Sequence, residues 1–149
     1  MIKLDYNDKE KYVSTNWILK INKDSRKTKN KNGEEKTYYS YFTSFPQELY
    51  DFLDIKDDYV YLVKEFTDNY EIILTDKEPK LPIIFVRVKL ITRRKKERKD
   101  KKIPTTSFTL AKKIFNNLEE YKEVKFTLHP RLKDKYRNKI GVISIQLIK

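Results

Sequence analysis

A chain of 149 residues is long enough for one good core or two small intertwined units. With no cysteine it holds no disulfide, zinc ribbon or thiol nucleophile. Hydrophobic and charged residues each make up 38%. No apolar run approaches the ~20 residues of a membrane span.

Met1-Ile-Lys-Leu-Asp-Tyr lacks a signal-peptide apolar core, so the cytoplasm is the expected compartment. Residues 1–12 are polar and charged and read as a flexible N-terminal arm. Trp17, Leu19 and Ile21 alternate with Ile18 and Lys20, the period-two signal of a strand. Residues 23–36 form a basic tract in which Asn30, Asn32 and Gly33 mark a hairpin tip. From Thr37 a β-branched and aromatic strand places Tyr39, Tyr41, Thr43 and Phe45 on one face. Pro46 then starts a short helix, capped by Ser44 or Thr43, with Glu48 in its first turn and Leu49, Phe52 and Leu53 as its apolar face. A strand from Tyr59, a turn at Thr67-Asp-Asn and a return strand to Leu74 complete the unit. Residues 76–83, with two prolines, read as a linker.

The order then repeats. Ile84, Val86, Val88 and Leu90 alternate with Phe85, Arg87 and Lys89, and a second basic tract fills residues 93–102. Thr106, Phe108 and Leu110 form a strand face, and Ile114, Phe115 and Leu118 a helix face. Val124, Phe126 and Leu128 form the third strand. A long basic loop from His129 follows, and Ile143, Ile145 and Leu147 close the unit. Phe45 with Leu110, Leu49 with Ile114, and Leu53 with Leu118 lie 65 residues apart, and Val60 with Val124 lie 64 apart. So constant an offset across a helix and its flanking strands points to duplication, with repeats at 13–75 and 84–149 intertwined in one domain.

The net charge of +12 is concentrated. Residues 23–36 carry +3, residues 93–102 carry +6 and residues 131–139 carry +4, together +13, so the remainder carries −1. A nearly neutral scaffold with basic loops suggests a polyanion partner, since solubility alone requires no single sign.

Thr43-Ser-Phe-Pro-Gln-Glu-Leu, Leu53-Asp-Ile-Lys-Asp-Asp-Tyr-Val and Glu71-Ile-Ile-Leu carry a family likeness. This first repeat resembles the AbrB-like (SpoVT–AbrB, MazE-type) swapped-hairpin DNA-binding family. Phe45, Pro46, Glu48, Leu49, Leu53, Ile55 and Val60 fall where the family pattern puts them, with one residue missing before Val60. Asp54 and Asp58 replace glycines of that pattern, Ala111 stands for its proline, and the turn Glu119-Glu-Tyr-Lys-Glu also lacks glycine. The resemblance implies a mainly β fold with short helices. It would be a swapped-hairpin β-barrel built as a single-chain pseudo-dimer of two β-hairpin/helix/β-hairpin repeats. It further implies DNA binding through basic residues on the first hairpin of each half.

The expected function is therefore that of a double-stranded DNA-binding protein, a transcriptional regulator. The residues assigned to DNA are Lys23, Arg26, Lys27, Lys29 and Lys31 in the first tract, and Arg93, Arg94, Lys95, Lys96, Arg98, Lys99, Lys101 and Lys102 in the second. Arg131 and Lys133 join them from the last basic loop. The arginine fork suits base edges or bidentate phosphate contacts, whereas lysines position the backbone. Alternatives are an RNA-binding module gripping backbone by shape, or an antitoxin-like or virus-encoded protein-interaction module with an acidic protein partner. Self-association of pseudo-dimers is compatible with all three. The Tyr38-Tyr-Ser-Tyr-Phe run reads as packing rather than as a stacking platform. His129, the one histidine, precedes a proline in a basic loop without partners for a metal site or triad. No phosphate-cradling glycine motif exists. Neither catalysis, a cofactor, a metal nor a membrane is expected.

Overall fold

The computed structural model describes residues 2–7, 12–64, 72–80, 84–94, 104–130, 136 and 138–149. In chain order its elements are β1 (Ile2–Asn7), β2 (Tyr12–Lys20), β3 (Asn22–Lys29), β4 (Glu35–Ser44), α1 (Gln47–Phe52), β5 (Tyr59–Lys64) and β6 (Ile72–Thr75). They continue with β7 (Ile84–Lys89), β8 (Ile91–Arg94), β9 (Pro104–Thr109), a 3-10 turn at Leu118–Glu120, β10 (Glu123–His129) and β11 (Val142–Ile148). The described residues are mainly β, in two antiparallel sheets, ordered β1-β2-β10-β11-β6-β5-β7 and β3-β4-β9-β8.

The strand order is palindromic. Match β2 to β7, β3 to β8, β4 to β9, β5 to β10 and β6 to β11, and each sheet reads the same from its other end, apart from β1. The registers obey the same exchange. Lys20 opposite Glu123 becomes Lys89 opposite Tyr59. Leu62 opposite Leu74 becomes Phe126 opposite Ile145. Asn22 opposite Phe42 becomes Ile91 opposite Ser107. At the centres, Thr43 faces its counterpart Phe108, and Ile73 faces Ser144. Backbone bonds outside the ladders follow too. Ile21 N–H donates to Lys122 O at 2.8 Å and Leu90 N–H to Asp58 O at 2.6 Å, while Phe45 N–H donates to Thr106 O at 2.6 Å and Leu110 N–H to Tyr41 O at 2.7 Å.

Connection between the halves is thus reciprocal. β2 of the first half pairs with β10 of the second, and β7 of the second with β5 of the first. The expected barrel is not closed. The chain leaves the seven-stranded sheet for the four-stranded one at Ile21 and Leu90, so two open layers result, with β1 and β7 as the outer strands of the larger. β1 falls within the segment read as an N-terminal arm and pairs with β2 from Ile2 opposite Trp17 to Asn7 opposite Tyr12.

One core joins the layers. Tyr41, Phe45 and Phe108 pack with Trp17, Leu62, Leu74, Phe126 and Ile143. Phe45, Phe108 and Phe126 meet edge-to-face in a triangle with centroids 5.9–6.0 Å apart, a preferred geometry of the ring quadrupole. A second cluster of Val63, Ile73, Tyr136 and Val142, with Phe85 against it, lies on the other face of the seven-stranded sheet. Residues on the loop before β11 help to cover it. Asn138 donates to Leu74 O at 3.0 Å and accepts from Asp76 N–H at 2.9 Å, and both Tyr136 and Asn138 are buried.

Two helix expectations need correction. Pro46 is the residue before α1 rather than its first, and no side chain caps the helix. Thr43 Oγ1 instead donates to Lys20 O at 3.0 Å, tying β4 to the end of β2. Leu49 and Leu53 are buried as expected, but Phe52 is 59% exposed, because the chain turns extended at Leu53 before a longer apolar stripe develops. The second half has no α-helix between Ala111 and Asn117. Phe115 N–H reaches Ala111 O at 2.9 Å, closing one turn, and Asn117 then enters the left-handed region at φ 56° and ends it. Ile114, Phe115 and Leu118 are buried nonetheless, so the apolar spacing served packing without a helix.

Candidate nucleic-acid interface

The first basic tract is a ribbon, not a loop. β3 and β4 pair from Asn22 opposite Phe42 to Lys29 opposite Glu35, and every residue from 23 to 40 is exposed. Eight residues of β3 at about 3.3 Å each extend the ribbon roughly 26 Å. Local chemistry accounts for its closure. Asn30 Oδ1 accepts from Asn32 N–H at 3.0 Å and Glu34 N–H at 2.9 Å, and Gly33 supplies φ 78°. Asn30 is therefore committed to the turn, the structural alternative to base contact. Lys29 sits opposite Glu35, an opposite-charge pair that favours this register.

Alternation divides the ribbon into two faces. Lys23, Ser25, Lys27 and Lys29 share one with Thr37, Tyr39 and Tyr41. Arg26, Thr28, Lys36 and Tyr38 share the other with Asp24 and Ser40. Lys23 Nζ lies 4.1 Å from the Tyr39 ring centroid and 6.0 Å from that of Tyr41, a cation–π stack at the ribbon's root. The aromatic run is thus split. Tyr41 is core, whereas Tyr38 and Tyr39 are 55% and 45% exposed among the cations. Lys36 was missed by sequence reading, although the pairing that follows from a turn at 30–33 puts it opposite Thr28 and beside Arg26.

The second tract enters through β8. Arg93 lies opposite Thr105 and Arg94 opposite Pro104. Because β4 and β9 are antiparallel and meet only at their ends, the two hairpins leave the sheet centre in opposite directions. Lys95, Lys96, Arg98, Lys99, Lys101, Lys102, Arg131 and Lys133 lie outside the described residues. Lys31 is exposed in the first turn.

At the root of the first ribbon a groove of about 540 Å3 is lined by Lys23, Tyr39, Tyr41, Lys112, Asn116 and Asn117 among others. It joins the ribbon of the first half to the turn of the second. Sequence reading passed over Lys112, whose placement depends on a contact between segments some 70 positions apart. In the core that also holds Tyr41, Trp17 donates its indole N–H to the Glu48 carboxylate of α1.

Two titratable side chains outside the ribbon make hydrogen-bond contacts with other side chains. Tyr50 donates its hydroxyl to Asp58 Oδ1 at 2.8 Å, and that hydrogen bond raises the phenol pKa above 10.0, with burial and the Asp58 charge adding to it. His129 Nε2 lies 3.3 Å from Ser144 Oγ on the neighbouring strand β11. Among the described residues no group of three or more His, Asp or Glu side chains is placed to hold a metal. No described helix is long and apolar enough to cross a membrane.

No protein-family model, curated protein or solved structure matches the chain.

Proposed function

We propose that the chain is a double-stranded DNA-binding protein, a transcriptional regulator organised as a single-chain pseudo-dimer of the AbrB-like, swapped-hairpin type. The carrying observation is the exposed basic ribbon. A two-stranded antiparallel ribbon fits the major groove of B-DNA in width. This one offers cations on both faces, with Arg26 beside Lys36 and Lys23 beside Lys27 and Lys29. The reciprocal pairing of halves supports the pseudo-dimer, because a protein with two-fold-related arms suits a duplex with two-fold-related half-sites. Arg93 and Arg94 begin the corresponding arm of the other half, and Arg131 and Lys133 are carried in the proposal from the sequence alone.

In this reading Lys23, Lys27, Lys29 and Lys31 neutralise phosphates and Arg26 reads a base edge or clamps a phosphate. The test is a binding titration with duplex DNA and with structured RNA across a salt series. Duplex preference is expected, with log K falling about 0.9 per phosphate contacted for each log unit of salt. Equal binding to structured RNA, or failure to bind either at low salt, refutes the proposal.

A further inference from the structure

The palindromic strand order leaves one position unmatched. β1 pairs along the outer side of β2, but among the described residues no strand pairs along the outer side of its counterpart, β7. Burial records the difference. Where β1 lies alongside, Asn16 and Trp17 are 1% and 6% exposed. Their counterparts Phe85 and Val86 are half-buried, and Ile84 is 54% exposed. The uncovered stretch is also the more apolar, Ile84-Phe-Val against Thr15-Asn-Trp. Exposed Ile91 follows on the same chain at 44%. An apolar edge with free backbone donors and acceptors is a template for another strand.

We propose that this edge pairs with β7 of a second copy of the chain, antiparallel about a two-fold axis at Val86. The sequence of β7 is self-complementary in that register. Ile84 falls opposite Val88 of the second copy, Val86 opposite itself, and Phe85 opposite Arg87. Residues opposite one another in an antiparallel pair share a face, so Ile84, Val86 and Val88 form one apolar row across the junction. On the other face each Arg87, already 4.3 Å from the Tyr59 ring, gains Phe85 of the second copy as an aromatic neighbour. No like charges are directly opposed within the span from Ile84 to Val88. The two seven-stranded sheets become one, and the contact is closed by its own symmetry. Neither the edge nor the register depends on the nucleic-acid reading.

The test uses the full chain without nucleic acid at high salt. Its mass is followed by sedimentation equilibrium from low micromolar to several hundred micromolar. The expected result is a concentration-dependent rise from 18.1 kDa towards twice that value. Ile84→Lys, an exposed change that spares the fold, should weaken the dimer by about tenfold or more, equivalent to ~1.4 kcal/mol. Because the chain has no cysteine, Val86→Cys should form an intermolecular disulfide on mild oxidation, whereas Asp51→Cys on exposed α1 should not. A monomer at every concentration overturns the proposal. So does a dimer indifferent to Ile84→Lys, or one that links as readily through position 51 as through position 86.

Discussion

At the residue scale, a few backbone conformations carry more constraint than their side chains suggest. Gly141 has φ 132°, and a Cβ there would lie 2.4 Å from His129 O and 2.7 Å from Pro130 Cα. Both obstacles are backbone, so Gly141→Ala should cost roughly 3 kcal/mol by chemical denaturation. The second constraint sits at Asp57 and Asp58, with φ 56° and 60°, between Lys56 and Tyr59, whose backbone closes the turn at 3.1 Å. This is the double left-handed turn that normally favours Asn-Gly or Gly-Gly. Asp58, where the AbrB-like pattern has glycine, keeps the glycine-like conformation and adds the bond from Tyr50. At Asp54, the other departure, no positive φ is required, and its N–H donates to Asp76 Oδ2 at 2.9 Å. Asp57→Gly should therefore raise stability by about 0.5–1 kcal/mol, and Asp57→Val should lower it by ~1–2 kcal/mol, both measured by thermal or urea unfolding. Tyr50 offers a pH readout. Its raised pKa means that the Asp58 bond stabilises the fold below about pH 10 and is lost as pH rises through the raised value. Ultraviolet difference titration against Asp58→Asn should show Tyr50 ionising later in the parent chain, with the substitution bringing it back towards 10.0.

At the element scale, the first ribbon is the feature with the clearest consequence. It has no core of its own, since residues 23–40 are all exposed, so its order rests on cross-strand pairs and on the Asn30 turn. Substituting its cations should leave the core untouched. Arg26→Glu with Lys27→Glu should shift the unfolding midpoint little, yet weaken duplex binding by about 10-fold or more and flatten its salt dependence. Unchanged binding would remove the ribbon from the interface. α1 shows the opposite dependence. With six residues it is too short to persist alone and is held by Leu49 in the core and by Trp17 on Glu48. Glu48→Ala leaves the indole N–H without its partner and should cost about 1–2 kcal/mol, read by urea unfolding with tryptophan fluorescence.

For the whole molecule, two halves close each other's sheets, and neither can bury its apolar strands alone. β5 lies between β6 of its own half and β7 of the other, and β10 between β11 and β2. A fragment ending in the linker should therefore expose Val60, Leu62 and Leu74, all fully buried in the intact chain. Hydrogen exchange should find the two halves losing protection together rather than in sequence. The halves also differ in charge, which bears on the proposed duplex binding. The second carries the more basic first hairpin, +6 against +3, so its charge reversals should change the salt slope more.

Much of this architecture was legible in the residues. The 65-residue offset of Phe45, Leu49 and Leu53 from Leu110, Ile114 and Leu118 equals the exchange that relates Thr43 to Phe108 at the sheet centre. Apolar period, turn chemistry and charge clustering are local, and a chain displays them before it folds. The tertiary structure alone decided that the layers remain open and that the hairpin read at 23–36 stands exposed along its whole length from 23 to 40. It also decided that Phe115 packs without a helix and that, among the described residues, no strand lies beside the edge of β7 as β1 lies beside β2. Each of these depends on which distant segment arrives at a given surface, and pattern along one strand does not encode its neighbour.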